Sequence, residues 1–192
     1  MNEMEKEAVS LLDAEYVALI DQMVNIAAVH VASLFSEYDR GNVKKNLDRL
    51  ATIQQFSALG LGVEYRKLAA VSDMPGEKII SLTKKGNVLR VNKKWLEEKS
   101  SLEDAMRLMQ AVHTATFLDH VQLMVKSQNE ELRAYAQKFG WFEEMKNPVD
   151  AEENPQAYFE QKHIKAALAY GIVYTNQAVR YAAQALRRLQ SR

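Results

Sequence analysis

Six side chains between Met106 and Met124 recur at steps of three and four: Met106, Met109, His113, Phe117, His120 and Met124. A helix gathers this spacing into a single stripe. Ser101, followed three residues later by Asp104, supplies a start signal, so Ser101–Lys126 reads as one helix. Its stripe is apolar except for two imidazoles, two turns apart, with Phe117 between them. The rest of the chain has to cover this stripe, and a site, if there is one, belongs here.

Seven glycines and three prolines in 192 residues are few breakers, which favours long helices over a many-turned β fold. The length suffices for one ample core. Lys+Arg and Asp+Glu both number 25, so the chain has no global field with which to attract nucleic acid or an anionic membrane. It has no cysteine, which excludes disulfides and thiolate metal sites and suits a reducing compartment. We expect a cytoplasmic protein. The acidic start MNEMEKEAVSLLDAEY lacks the basic and apolar regions of a secretory signal. No run of about eighteen apolar residues marks a transmembrane helix.

Residues from about Lys6 to Asp39 read as one long helix with an apolar stripe that includes Leu12, Tyr16, Ile20, Ala27 and Val31. Arg40-Gly41-Asn42 breaks it, and a second helix follows over about Val43–Leu59. After Gly60 and Gly62 the period changes. Val63–Val71 alternates loosely, with Val63, Tyr65 and Leu68 as candidates for the inner face. Lys78–Thr83 and Asn87–Val91 flank Lys84-Lys85-Gly86, a hairpin signal. Trp95 and Leu96 are expected to anchor a short segment to the core. Beyond the central helix come a helix over Glu130–Phe142 interrupted near Gly140, an acidic loop, and a last helix from about Gln156 to Leu189. The expected fold is α+β and mostly α. A helical hairpin (1–59) packs on a core (60–192) with a small three-stranded antiparallel sheet and a helical C-terminal half, the whole forming one compact domain.

A two-histidine zinc site on a helix needs ligands at i and i+4, with a glutamate beside the first to activate the metal-bound water. If His113 is the first ligand, Thr114 stands where the glutamate should be and Phe117 where the second histidine should be. His120 is close in rotation but about 10 Å further along the axis, too far for one ion bound at roughly 2.1 Å. Spacing alone favours two partly buried structural histidines.

The order of elements nevertheless resembles zincin-type metallopeptidases, above all small bacterial or phage-borne domains. A helical lead-in is followed by a small sheet ending in Asn87–Asn92, similar to the family's I-x-I-N edge strand. Then comes a helix on which His113 matches the first histidine of HExxH. Glu130 or Glu131 in NEELRAYAQ, with Ala134 and Ala136, matches the helix that supplies a carboxylate. The resemblance covers about Val63–Phe142. It implies a zincin-like scaffold, with His113, His120 and Glu131 as the ligand set if zinc binds. The missing glutamate and second histidine imply that peptidase activity is lost; an enzyme on this scaffold would be a metal-dependent hydrolase. No catalytic residue is assigned, and the residues themselves call for no cofactor.

Other chemistry is thin. There is no P-loop, dinucleotide fingerprint or G-x-S-x-G elbow. Asp119 and His120 are adjacent, so on a helix they diverge by about 100°. Lys84-Lys85, Lys93-Lys94 and the terminal arginines read as a solvated face and as lysines that keep an edge strand from pairing. The last helix is rich in alanine and tyrosine. Tyr170, Tyr174 and Tyr181 are candidates for an interface with a protein partner or a second copy, set against packing on the first two helices. A non-catalytic helical interaction protein is therefore the alternative to the zincin-like reading.

Overall fold

The computed structural model describes residues 3–36, 42–83, 87–97 and 101–190. Helices dominate. In chain order they are α1 (Glu3–Ser10), α2 (Ala14–Ser36), α3 (Val43–Leu61), α4 (Lys93–Glu97), α5 (Leu102–Lys126), α6 (Glu130–Lys138), α7 (Trp141–Lys146), α8 (Pro155–Glu160) and α9 (Lys162–Gln190). The strands are β1 (Lys67–Val71), β2 (Ile80–Leu82) and β3 (Val88–Asn92). This is the expected mostly helical α+β fold with a small three-stranded sheet.

α5 is the central element. Ser101 Oγ accepts from the Asp104 N–H while the Asp104 carboxylate accepts from the Ser101 N–H, a complete capping box. α9 lies along α5 on one side and α2 on another. Ile20, Val24, Ala27, Val31 and Leu34 of α2 have no exposed surface, nor have Val173 and Tyr174 of α9. α2 is long and apolar enough to cross a membrane by length and composition, with 33% of that stretch buried inside the chain; one face packs on the core, while Ile26 and Val29 are 56% and 73% exposed. The close crossing of α5 and α9 depends on Gly171. A Cβ there would fall 2.4 Å from Thr114 Oγ1 and 2.6 Å from the Gln110 carbonyl oxygen.

Two helices expected to be continuous are each divided. The first breaks at Leu11–Asp13, where the Asp13 carboxylate accepts from the Glu15 N–H and its carbonyl from Tyr16. A short polar side chain bonding its own backbone ends one helix and starts the next. The last breaks at Gln161. There α9 begins under a cap from far away in the chain: Glu144 Oε1 accepts from the Lys162 N–H at 2.9 Å and Oε2 from the His163 N–H at 3.1 Å. A carboxylate at this end also suits the helix dipole. α3 runs two residues past its expected end at Leu59 and stops at Gly62, whose φ of 68° makes the left-handed cap.

The sheet is mixed, not antiparallel. Its order is β1-β3-β2, with β1 parallel to β3 and β2 antiparallel to it. The β1–β2 connection passes the end of β3 and is fastened there. Asn92 Nδ2 donates to the Pro75 and Lys78 carbonyls, and Trp95 Nε1 donates to the Gly76 carbonyl. That fastening places β3 between its two neighbours and leaves β2 on an edge. Tyr65, proposed for the inner face, is 53% exposed, whereas Leu68 is buried. Lys84-Lys85-Gly86 and the Arg40-Gly41 part of the expected helix break lie outside the described residues.

Candidate functional site

The two histidines of α5 do not share a site. His113 is fully buried, its ring centroid 3.7 Å from that of Tyr174. Its Nδ1 lies 3.1 Å from the Met109 carbonyl one turn back, so Nδ1 carries the proton and donates. Nε2 is buried with no hydrogen-bond partner. Burial pushes this imidazole down to about 3, against the opposing pull of the Met109 carbonyl. His113 is a neutral core residue.

His120 sits about one turn beyond Phe117, 5.7 Å from its ring, at the Tyr16 end of the same run of aromatic rings. Its Nε2 and the Tyr16 hydroxyl share a hydrogen bond of 3.0 Å. Tyr16 also stands edge-on to Phe117 at 5.0 Å. Burial lowers the His120 pKa, and the Leu61 carbonyl opposes it by favouring the protonated ring. Glu131 is exposed on the first turn of α6, where its own N–H is capped by Asn129 Oδ1. Among the described residues no three His, Asp or Glu side chains are grouped to hold a metal ion. The proposed set of His113, His120 and Glu131 does not fit zinc. One ring has no free, accessible nitrogen, one nitrogen of the other is engaged by Tyr16, and the carboxylate faces outward from another helix.

The interface candidates also turn inward. Tyr170 and Tyr174 are completely buried within the chain, Tyr170 bonded to Ser57 through its hydroxyl at 3.0 Å. Burial raises both phenols well above their usual value. They fill the space between α3, α5 and α9, so α9 spends its aromatic face on the chain's own core. Tyr181 is partly exposed, but its hydroxyl donates to Asp21 of α2 at 2.8 Å.

Sequence reasoning missed an apolar groove. A groove of about 520 Å³ runs between β2 and the helices, lined by Ile80, Ser81 and Leu82 of the strand, Thr114, Ala115 and Leu118 of α5, and Tyr158, Phe159, Ile164 and Leu168 from α8 and α9. Past Ile80, Thr114 and Leu168 it continues into a hollow of about 330 Å³ bordered by Arg107 and Ala111. Phe159 is 51% exposed and Leu82 42%, which is costly for a large apolar side chain with nothing to cover it. Two faces of α5 thus do different work: one carries His113 into the core, and the next, through Thr114 and Leu118, forms the groove wall. The sequence signal nearest to it was the adjacent pair Tyr158-Phe159.

A second polar feature, Arg66–Asp119, also went unread. Arg66 donates through Nε and Nη2 to both carboxylate oxygens of Asp119, at 2.5 and 2.6 Å. The side chains are only 17% and 13% exposed. This bidentate pair ties the β1 approach to α5 and borders a shallow hollow of about 430 Å³. Both charges are consumed by each other, so the hollow offers no free charged group from this pair.

Compared with known proteins, the chain matches no family model, no curated protein and no solved structure.

Proposed function

We propose that the chain is a non-catalytic binding protein and that the groove beneath β2 is its working surface. The observation that carries this reading is the groove itself. It is apolar, open, flanked by an edge strand, and bears half-exposed Phe159 and Leu82. The order of elements that resembles a zincin supports a zincin-like arrangement under the same reading. On that arrangement Thr114, at the position of the missing glutamate, lines the groove and supplies only a hydroxyl. A hydroxyl at that point brings no base for water activation.

The reading is tested by selecting ligands from a random peptide display library against the folded chain. Enriched binders that lose affinity for a Phe159→Ser chain support it. A failure to enrich any binder, or binders indifferent to Phe159→Ser and to Leu118→Asp, would count against it.

A further inference from the structure

The hairpin of α2 and α3 carries a second uncovered apolar surface, made of residues the groove does not use; what covers it is a question beyond the binding-protein reading and independent of it. The two helices meet at two levels. A Cβ on Gly60 would fall 2.8 Å from the Met23 side chain, and the His30 ring lies 5.9 Å from that of Phe56. α2 and α3 therefore run antiparallel, with Ile26 and Val29 of one and Leu59 of the other between these levels. Leu59 is 76% exposed and, like Ile26 and Val29, stands mostly in solvent. Three large apolar side chains side by side on a surface cost free energy unless something covers them.

Spacing and charge identify the partner. Gln22, Ile26, Val29 and Ser33 follow one another at steps of four, three and four along α2, and Thr52, Phe56 and Leu59 at steps of four and three along α3. Steps that average about 3.5 residues form a seam into which other helices fit their side chains. The seam also lacks charge. No Asp, Glu, Lys or Arg occurs from Gln22 to Ser36 or from Leu50 to Val63, although these residues make up 26% of the chain. A charged partner has nothing to pair with there, whereas depletion of charge marks the centre of an interface. The exposed polar side chains beside the seam, Gln22, Asn25 and Gln55, are amides. An amide both donates and accepts, so it can bond its own copy across a twofold axis, which neither a carboxylate nor an ammonium can do.

We infer that two copies of the chain join through this face, their α2–α3 hairpins stacked about a twofold axis as four packed helices. Two helices about 20 Å long and about 10 Å apart offer roughly 400 Å² per copy. A standard interface buries about 800 Å² on each side, so the dimer is a weak one, with a dissociation constant on the order of 100 µM. The test is sedimentation equilibrium of the full chain from about 10 µM to 1 mM, with flotation on vesicles of phosphatidylcholine alone in parallel. The average mass is expected to climb from one chain toward two. Val29→Glu combined with Leu59→Glu, both at exposed positions, is expected to weaken association at least about tenfold with the helical circular dichroism unchanged. Since the chain has no cysteine, a single introduced thiol can form a disulfide only with its own copy. Ile26→Cys or Val29→Cys should therefore give disulfide dimers in air at least about tenfold faster than Leu123→Cys on α5. A mass of one chain at the highest concentration overturns the proposal, as does undiminished association of the folded double variant. Cross-linking no faster than at Leu123→Cys overturns it too. Loss of association in Phe159→Ser would place the contact in the groove instead, and a chain that stays single but floats with the vesicles would assign the face to a membrane.

Discussion

The imidazole of His113 lies against the ring of Tyr174, with 3.7 Å between centroids, in a part of the core that neither side chain leaves. Tyr170 lies 6.1 Å from Tyr174 with its ring tilted, and Phe117 stacks on Tyr170 at 4.8 Å. The residue that would have anchored a metal site is thus one ring in an aromatic column that joins α5 to α9. Replacing His113 with alanine removes a fully packed ring and is expected to cost about 2–4 kcal/mol in chemical denaturation. His113→Phe keeps the volume and removes the partnerless Nε2, so it should stay within about 1.5 kcal/mol of the parent. A His113→Ala chain of unchanged stability would place this ring outside the core.

Stability should fall as pH is lowered through the histidine range. His113 is held neutral in the folded chain, with its pKa pushed down to about 3, whereas an unfolded imidazole titrates near 6.5. Between those values the unfolded chain binds more protons, so folding loses free energy as pH drops from 6.5 toward 3 and keeps it in full above 6.5. His120 is lowered in the same direction. Urea midpoints measured across this window should decline less steeply in His113→Phe than in the parent. Parallel curves would show that His113 does not contribute.

Glu144 holds the first turn of the longest helix from outside it. Burial raises its pKa, but the N–H groups of Lys162 and His163 and the His163 ring outweigh this and leave it lowered. The stabilisation this implies is present above the unfolded carboxylate range and is lost as pH falls through the folded value. Glu144→Ala should cost about 1–2 kcal/mol, comparable to losing a strong N-cap. Glu144→Gln should retain part of that, because one oxygen still accepts. Amide exchange at Lys162 and His163 is the local readout, and protection unchanged in Glu144→Ala would contradict the cap.

At Gly171 α9 lies so close to α5 that there is no room for a side chain. Adding a methyl there meets a backbone oxygen, that of Gln110, at 2.6 Å as well as the Thr114 hydroxyl. We expect Gly171→Ala to destabilise the fold by about 1–3 kcal/mol. Thr114→Ala should not rescue it, since the carbonyl cannot move without the helix. Rescue by Thr114→Ala would mean that only the side chain was in the way.

Much of the frame was legible. The stripe on Ser101–Lys126 identified the central helix, Ser101 and Asp104 marked its start, and Gly60 and Gly62 marked the end of α3 to within two residues, because caps and periodicity are local signals. What decided the sheet was not local. Lys78–Thr83 and Asn87–Val91 pair as a hairpin signal suggests, but β1 joins parallel, with the connecting loop fastened across the end of β3 by Asn92 and Trp95. The two histidines were read from rotation about one helix, which does not say which neighbouring helix fills each side. α9 supplies Tyr174 to His113, and α2 supplies Tyr16 to His120. The tyrosines of α9 were weighed as a surface because their sequence resembles one, yet Tyr170 and Tyr174 have no exposed area. The groove is assembled from β2, α5 and the α8–α9 stretch, which lie far apart in sequence, so local patterns do not define it.

The account rests on His113 serving the core, which moves function to the groove. The most direct measurement is the ¹⁵N chemical shifts of the His113 imidazole in the folded chain, followed from pH 7.5 to 4.5 and with one equivalent of zinc added at neutral pH. We expect a neutral ring protonated at Nδ1, unchanged by zinc and unprotonated at Nε2 throughout. A ring that titrates near its ordinary value, or whose nitrogens shift on adding zinc, would contradict the account.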